Sequence, residues 1–372
     1  MHNHMSHLPF LDRIEPLTSE DSPLGREVLC YLDNLAIPRG CLGQLHETSK
    51  RLCLIQKCTR PVLKTGVALV FAGDHGISSK GVSAFPKQAT FENFKNMLAG
   101  HIVISAFAKT VGLKVWYVDT GIDGPPVDQA IAKECRFVDA RIANGTDDCS
   151  ERAAMSVQQA LDGLELGYKL AREACQQADA VVLGEMGIGN SSIASLVSAA
   201  ILGVDVERIS GRGSGLSDSG LHRKKQIIAQ ALSRRNWSEL QPIEVLAELS
   251  GHEVNALVGA VLGSASAGKP VLVDGFIASA AALAAVVINP ACQGYLIPCT
   301  ESSEFGYNEI AKRLNFQPLL KLGLRLGEGS GAALAWPIVQ AAASYLTAVL
   351  SLDELGWLIK AHGHHEGESC VK

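Results

Sequence analysis

Short apolar segments that end beside an acidic residue constrain the fold of this chain more than any other feature. The clearest is 67–72, a continuous apolar run that follows Thr65-Gly66 and precedes Gly73-Asp74. An apolar run without polar alternation is typical of a strand that is buried on both faces, as in a parallel sheet. Comparable runs predict further strands at 113–118, 180–183, 270–273 and 294–298.

Helical periodicity fills the segments between these predicted strands. Residues 26–58 predict two helices separated by a break at 38–40, and a last helix begins near 330 and ends near 350. The remaining predicted helices are 90–110, 156–178, 191–202, 218–234, 253–267 and 276–287. Short strands alternating with helices indicate βαβ units, so the sequence predicts an α/β fold with a mostly parallel sheet flanked by helices.

Acidic residues close or follow four of the predicted strands, and these are Asp74, Asp119, Glu185 and Asp274. Ligands of open α/β sheets bind beyond the carboxyl ends of the strands, so the acids indicate a binding site at that edge. An acid in such a position can instead cap the helix that follows it. For Asp119 and Asp274 the two interpretations are equally open from the sequence.

Three segments place glycines around polar residues, at 184–190, 211–215 and 327–331. Glycine lets the backbone approach a ligand closely, and free N–H groups at the start of a helix can bind phosphate. Turns need glycine in any case, so one such segment is weak evidence. Three of them in one chain, two carrying a glutamate, favour a ligand-binding function.

The last of these segments also resembles a dinucleotide-binding fingerprint, because Gly327, Gly329 and Ala332 have the required spacing. Glu328, however, would place a carboxylate against the pyrophosphate, and too few residues follow to complete the βαβ repeats. A nicotinamide-dependent dehydrogenase is therefore the weaker enzyme hypothesis. No Walker P-loop motif occurs in the chain.

Charge and hydropathy exclude other classes of protein. The net charge is −5 and no basic stretch alternates with aromatic residues, so nucleic-acid binding has little support. The longest apolar run, 276–288, is shorter than the roughly 20 residues that a membrane-spanning helix needs. We therefore expect neither a nucleic acid nor a membrane as a partner.

The ten cysteines form no Cys-x-x-Cys pair, which disfavours a zinc ribbon or a thioredoxin-like site. The N-terminal segment lacks the apolar core of a signal peptide, so we expect free thiols and a cytoplasmic location. Histidines near both termini, in MHNHMSH at 1–7 and at 362–365, could bind a metal. Frayed termini are the favoured interpretation, and both tails are excluded from the predicted site.

At these motifs the chain resembles the family of nicotinate-nucleotide–dimethylbenzimidazole phosphoribosyltransferases, over about residues 34 to 345. The motifs that carry the resemblance are PRGCLG at 38–43, FAGDHG at 71–76 with GVS at 81–83, VDTGID at 118–123, GEMGIGNS at 184–191, GSG at 213–215, LVDGFI at 272–277, YLI at 295–297 with Ser302 and Glu304, and RLGEGSGAAL at 325–334.

This resemblance implies transfer of phosphoribose from nicotinate mononucleotide to a benzimidazole, which gives the α-ribazole phosphate used for the lower ligand of cobalamin. It also implies a Rossmann-like parallel sheet, a small helical domain built from both chain ends, and a homodimer. We expect residues 1–60 plus 335–372 to form the small domain and residues 61–334 the large one. No metal and no redox cofactor is implied.

The resemblance assigns the role of catalytic base to Glu328. The donor's pyridinium leaves as a neutral ring and needs no proton, whereas the incoming azole must lose its N–H proton, so one general base is sufficient. A glutamate in apolar surroundings, such as Leu326 and 332–334 provide, can have its pKa raised toward working pH. The alternative for Glu328 is a charge stabilised by the dipole of the following helix.

The resemblance places Glu185 beside the ribose and gives phosphate binding to backbone N–H groups. The further residues expected to bind substrate are Gly187, Gly215, Lys224, Ser302, Met186 and Leu326. Lys224 lies in the basic run 223–225, so a solvated surface lysine is an equally open interpretation. Asp74-His75 on its own is a weak metal signal, and a structural role is favoured.

Two positions depart from the family pattern in the acceptor pocket. Phe85 stands where relatives have a serine, and Asn93 stands where they have a glutamine. The same chemistry with a different acceptor base is therefore an alternative function. A binding module without turnover is a further alternative, but such a module gains nothing from a buried base.

Overall fold

The strands form one parallel sheet in this computed structural model, which describes residues 14–355. The strands are β1 (Gly66–Gly73), β2 (Lys114–Gly121), β3 (Arg136–Asp139), β4 (Ala180–Met186), β5 (Val271–Val273) and β6 (Leu296–Pro298). Every neighbouring pair is parallel, in the order β3-β2-β1-β4-β5-β6. This is the order of the Rossmann fold, and the prediction of an α/β fold with a mostly parallel sheet is confirmed.

The helices cover both faces of this sheet. They are α1 (Pro23–Asp33), α2 (Gln44–Gln56), α3 (Ala89–Leu98), α4 (Val103–Val111), α5 (Val157–Cys175), α6 (Asn190–Leu202), α7 (Val206–Ile209), α8 (Asp218–Leu232), α9 (Pro242–Leu249), α10 (His252–Ser266), α11 (Phe276–Ile288), α12 (Tyr307–Leu314) and α13 (Ser330–Ala348). Short 3-10 turns lie at Gly76–Lys80, Gln129–Ile131, Trp237–Glu239 and Pro290–Tyr295.

The sequence predictions differ from the structure at a few elements. The single helix expected over 90–110 is two helices, α3 and α4, because the chain turns at Gly100 with φ 82°. Strand β3 was not predicted, since its sequence RFVD has no continuous apolar run and lies at the partly exposed sheet edge. Helices α9 and α12, with eight residues each, also fell below the length at which periodicity is informative.

Strand β1 shows why its sequence is a continuous apolar run. Alternate residues point to opposite faces of a strand. Val67, Leu69 and Phe71 pack into the core beneath α5, α6, α10 and α11. Ala68 and Val70 pack on the other face, into the core beneath α3, α4 and α13. Both faces are buried, so neither set of side chains is polar.

A third, smaller cluster joins the two ends of the described chain. It is formed by side chains of α1, α2, the segment between them and the end of α13: Val28, Leu32, Leu35, Cys53, Leu54 and Leu346. The first half of α13 packs on the sheet instead, so one helix, with Pro337 in its interior, reaches both cores. The division into 1–60 plus 335–372 and 61–334 stays a prediction. Part of it, with the histidine-rich tails, lies outside the described residues.

Two further expectations concern the surroundings of the protein. Across residues 14–355, no helix combines the length and the apolar character needed to cross a bilayer. Among the cysteines of the described residues, eight have free thiols, as expected, whereas Cys30 is disulfide-bonded, which the sequence did not predict.

The strand order reverses between β1 and β4, which are neighbours in the sheet. The chain runs outward from β1 on one side and from β4 on the other, which leaves a crevice at their carboxyl ends. Asp74, Glu185 and Asp274 lie at this edge, at or just after the ends of β1, β4 and β5.

Candidate active site

Glu328 lies at this edge in a turn between Gly327 and Gly329, directly before α13. Its backbone has φ 67°, in the left-handed region that residues other than glycine rarely adopt. Such a conformation costs about 1–3 kcal/mol and persists only where the surroundings hold it. The Glu328 N–H donates to Glu185 Oε1 at 3.3 Å, and the Gly329 N–H donates to Asp274 Oδ2 at 3.1 Å.

The carboxyl group of Glu328 is buried, with 7% of the residue's surface exposed. Burial raises its pKa to about 7, opposed by a hydrogen bond from the backbone N–H of Ile104. Its Oε2 atom has no hydrogen-bond partner among the described residues. The shift is opposite to the one that stabilisation by a helix dipole would produce. The side chain therefore has the burial and the pKa of a general base that works near neutral pH.

Glu185 lies on β4 and is also buried. Its Oε2 accepts a hydrogen bond from the side-chain amide of Asn190, at the start of α6. Burial raises the pKa of Glu185 well above its usual value, and the nearby carboxyl group of Asp274 raises it further. A Cβ on Gly327 would lie 1.9 Å from Glu185 Oε1, so only glycine lets the two segments approach this closely.

Asp274 holds the beginning of α13. Its Oδ1 accepts a hydrogen bond from the Ala332 N–H at 3.1 Å, in addition to the bond from Gly329. Burial raises the pKa of Asp274 to about 7, although four backbone N–H groups around it favour the ionised form. The capping interpretation is thus supported for Asp274, but it caps α13 and not the helix that follows it in sequence.

Asp119 is bound differently. Its Oδ2 pairs with the Arg141 guanidinium at 2.6 Å, and its Oδ1 accepts hydrogen bonds from the backbone N–H groups of Gly121 and Ile122. Both carboxylate oxygens are therefore occupied by the protein. A structural role is favoured for this acid over a role in the site.

A cleft opens beside Glu185 and Asp274. Ser302 and Leu326 line it, and their predicted binding of substrate stays a prediction. Leu326 is 42% exposed. An adjoining open cavity follows the loop at 210–215 and shares Glu304 and Arg325 with the cleft.

Lys224 lies beneath that loop, on α8. It is fully buried, so the interpretation as a solvated surface lysine is wrong. Its Nζ donates to Ser191 Oγ at 2.9 Å and lies 3.5 Å from where a Cβ on Gly213 would be. Burial lowers the pKa of Lys224 to about 8, against an opposing effect of Glu304. Gly215, in the same loop, has φ 104° and open space around it.

Gly187 forms the turn after β4, where the chain passes close to β1. A Cβ there would lie 2.4 Å from the Gly73 carbonyl oxygen and 2.9 Å from His75 Nε2. His75 Nε2 lies 3.0 Å from Glu253 Oε1, and both side chains are fully buried. Within residues 14–355 no group of three or more His, Cys, Asp or Glu side chains is placed to hold a metal ion.

The predicted acceptor residues occupy the surface around α3. Phe85 is 55% exposed and precedes α3, while Asn93 is half-buried on that helix. Met186 is buried at the end of β4 in the core shared with α3 and α4. Contacts of Phe85 and Asn93 with an acceptor, and of Met186 with a substrate, stay predictions.

Sequence reasoning missed Glu253 and Asn190. Glu253 stands at the start of the otherwise apolar α10, and a lone acid in an apolar helix was a signal that could have identified it. Asn190 belongs to a motif of the resemblance, but nothing in the sequence indicated that its amide binds Glu185.

Comparison with known proteins gives consistent results. A phosphoribosyltransferase family model matches residues 17–356. The chain is similar to the nicotinate-nucleotide–dimethylbenzimidazole phosphoribosyltransferase of Dechloromonas aromatica, with 40% identity over 339 residues, 90% of this chain and 96% of the relative. The enzyme of that name from Chlorobaculum tepidum is 35% identical over 93% of this chain and 98% of its own. The crystal structure of CobT from Thermus thermophilus superposes with a TM-score of 0.86 and 35% identity, covering 90% of this chain and 99% of that one.

Proposed function

Because this chain belongs to the family of nicotinate-nucleotide–dimethylbenzimidazole phosphoribosyltransferases, we propose that it transfers phosphoribose from nicotinate mononucleotide to a benzimidazole-type base. The products are nicotinate and α-ribazole 5′-phosphate, the precursor of the lower ligand of cobalamin. The observation that carries the assignment of the base is the buried carboxyl group of Glu328, whose pKa is raised to about 7 and whose neighbours Gly327 and Gly329 line an open cleft.

The reaction needs one proton acceptor. The lone pair of one azole nitrogen forms the new bond to ribose C1′, and the electrons of the breaking glycosidic bond return to the pyridine nitrogen. Nicotinate therefore leaves without a proton. The other azole nitrogen gives up its proton to the Glu328 carboxylate. A positioned base of this kind contributes about 10²–10⁴-fold to the rate.

Glu185 would stabilise the positive charge that develops on the ribose as the glycosidic bond breaks. Burial raises its pKa and so disfavours the ionised form when no cation is near. A positively charged pyridinium favours the ionised form, so binding of the donor would itself lower the pKa of Glu185. Donor binding would thus favour the charge that this second carboxyl group needs.

The donor's phosphate would bind along the loop at 210–215, where Lys224 lies beneath Gly213. A phosphate dianion would favour the charged form of Lys224 and offset the effect of burial on its pKa. Ser302 lines the neighbouring cleft and would donate its hydroxyl. Backbone N–H groups near Gly187 and Gly215 would complete the phosphate site.

The test is release of nicotinate from nicotinate mononucleotide in the presence of dimethylbenzimidazole. Glu328→Gln should keep the fold and the donor affinity but lose about 10²-fold or more of turnover, because the amide cannot accept the proton. Glu173→Gln is the matched control, since Glu173 is an exposed glutamate paired with Arg136 at the opposite edge of the sheet. Near wild-type turnover of Glu328→Gln would refute the assignment of the base.

The same assay separates the alternatives. A binding module would bind the donor without releasing nicotinate, and a dehydrogenase would show hydride transfer with NAD. A panel of bases in place of dimethylbenzimidazole would identify the preferred acceptor. We also propose a cytoplasmic homodimer, which sedimentation at the assay concentration and fractionation of the native cell would test.

A further inference from the structure

Helix α13 begins without a cap of its own. Its N-cap residue is Gly329, which has no side chain to accept the hydrogen bonds of the first turn. A Cβ at this position would lie 3.0 Å from the Leu183 carbonyl oxygen, and the residue has φ 83°. The usual capping residues therefore do not fit here, and the cap has to come from another part of the chain.

Asp274 supplies this cap from the end of β5, although it precedes the helix by more than fifty residues. Its two carboxylate oxygens accept hydrogen bonds from Gly329 and Ala332, both at 3.1 Å. A Cβ on Gly331 would lie 2.7 Å from Asp274 Oδ1, so the glycine leaves room for the carboxylate. Three glycines and one distant acid are thus combined to start this helix.

Hydrogen bonds hold the backbone on both sides of Glu328. The N–H of Glu328, in the peptide before its Cα, donates to Glu185, and the N–H of Gly329, in the peptide after it, donates to Asp274. Together the two bonds fix the rotations on both sides of the Glu328 Cα. The left-handed conformation that aims the side chain therefore depends on both carboxylates.

We propose that Asp274 is a positioning residue for the reaction: its carboxylate holds the peptide after Glu328 and so keeps the general base in its productive orientation. Asp274 does not need to touch substrate, because both of its oxygens are engaged by the backbone. The buried carboxylate also lies close enough to raise the pKa of Glu185, so the three acids act as one unit. This inference rests on the proposed role of Glu328.

The first experiment is Asp274→Asn in the nicotinate-release assay. The amide keeps one acceptor but turns an NH₂ group toward a backbone N–H, so the turn should shift. A misplacement of about 1 Å can cost about 10²-fold, and we expect a fall in kcat of that order with KM for nicotinate mononucleotide changed less than about 3-fold. Asp179→Asn is the matched control, since Asp179 accepts two backbone N–H bonds, from Lys64 and Thr65, at the opposite edge of the sheet.

A double-mutant cycle distinguishes positioning from general destabilisation. If Asp274 acts through Glu328, its replacement should cost almost nothing further in the Glu328→Gln background. Equal losses in both backgrounds would overturn the proposal, and so would a raised KM with unchanged kcat. Full turnover of Asp274→Asn beside an inactive Glu328→Gln would overturn this inference alone. An active Glu328→Gln would remove the assigned base and this inference with it.

A second variant covers the case in which Asp274→Asn does not fold. Gly331→Ala adds a methyl group that displaces the carboxylate but keeps its charge and improves helix propensity. The same methyl also meets Thr300 Cγ2 at 2.6 Å and Thr300 Cβ at 2.9 Å, so the variant is made in a Thr300→Gly background, which lacks both carbons. We expect kcat to fall relative to Thr300→Gly alone, and an unchanged kcat would overturn the proposal.

Discussion

Two glycine-rich segments of this protein are built in opposite ways. The turn at 327–331 is packed so closely that a Cβ on Gly327 would lie 1.9 Å from a carboxylate oxygen of Glu185, well inside van der Waals contact. The loop at 211–215 is open, and a Cβ on Gly215 would meet no atom within 4 Å. The turn holds one base at one place, where small errors in position are costly. The loop would bind a phosphate. Several backbone N–H groups can donate hydrogen bonds to a phosphate from a range of positions.

Replacement of Gly327 or Gly215 by alanine should give the largest difference in kinetic effect between the two segments. Gly327→Ala forces Glu185 away from the turn, and we expect kcat to fall by about 10²-fold, as for other displaced catalytic groups. Gly215→Ala meets no steric obstacle and strains only its own backbone, by about 1–2 kcal/mol, so KM for the donor should rise a few-fold. Steady-state kinetics of the two variants would measure both effects. Similar losses of kcat in the two variants would contradict the proposed difference between the packed turn and the open loop.

The pH dependence should separate the two segments as well. Glu328 must be ionised to accept a proton, so with its pKa near 7 we expect kcat to fall about tenfold per unit below that pH. Lys224 has its pKa lowered to about 8 and loses its charge above it, so KM for the donor should rise on the alkaline side. A pH profile of kcat that is flat from 5 to 7 would count against Glu328.

Removing the positive charge of the buried Lys224 tests whether the loop at 211–215 binds the phosphate of the donor. Lys224→Met keeps the length of the side chain and the burial but removes the charge and the bond to Ser191. A hydrogen bond to a charged group contributes about 1.5–3 kcal/mol, so KM for the donor should rise by at least about tenfold with kcat nearly unchanged. The alkaline rise of KM should also disappear in this variant. Lys225→Met is the control, because Lys225 pairs with Glu207 beside the same cavity.

The smallest expected effect concerns the acceptor. Phe85 is exposed and Asn93 is half-buried, so their replacement should leave the fold and both glycine-rich segments intact. We expect Phe85→Ser with Asn93→Gln to change the ratio of kcat/KM between dimethylbenzimidazole and other bases by a few-fold to about tenfold, the range of one pocket contact. Identical ratios in the two enzymes would show that these positions do not select the base.

The sequence predicted the sheet better than the details of the site. Continuous apolar runs identified β1, β2, β4, β5 and β6, because a strand buried on both faces has no polar alternation. Strand β3 escaped, since it lies at a sheet edge and mixes charged and apolar residues. The motif around Glu328 was recognised, but its left-handed backbone and its hydrogen bonds to Glu185 and Asp274 join segments far apart in sequence.

Lys224 shows a second limit of sequence reasoning. In the run Arg223-Lys224-Lys225 three cations look alike, yet only the middle one is fully buried. Lys224 has the i, i+4, i+7 spacing with Ile228 and Ala231 that marks one helix face, and all three are buried, so this periodicity was a signal that could have identified the middle residue. Glu253 was missed for a different reason, since its partner His75 follows a strand in another part of the chain.

Helix α13 connects the proposed base with the periphery of the protein. It begins directly after the Glu328 turn, crosses one face of the sheet, and ends with Leu346 among side chains of α1 and α2. Its 19 residues span roughly 28 Å, and Pro337 in its interior lacks the N–H of the helical hydrogen bond and marks a point where the helix can bend. The terminal helices and the Glu328 turn therefore pack on one helix, but that helix is not rigid between them.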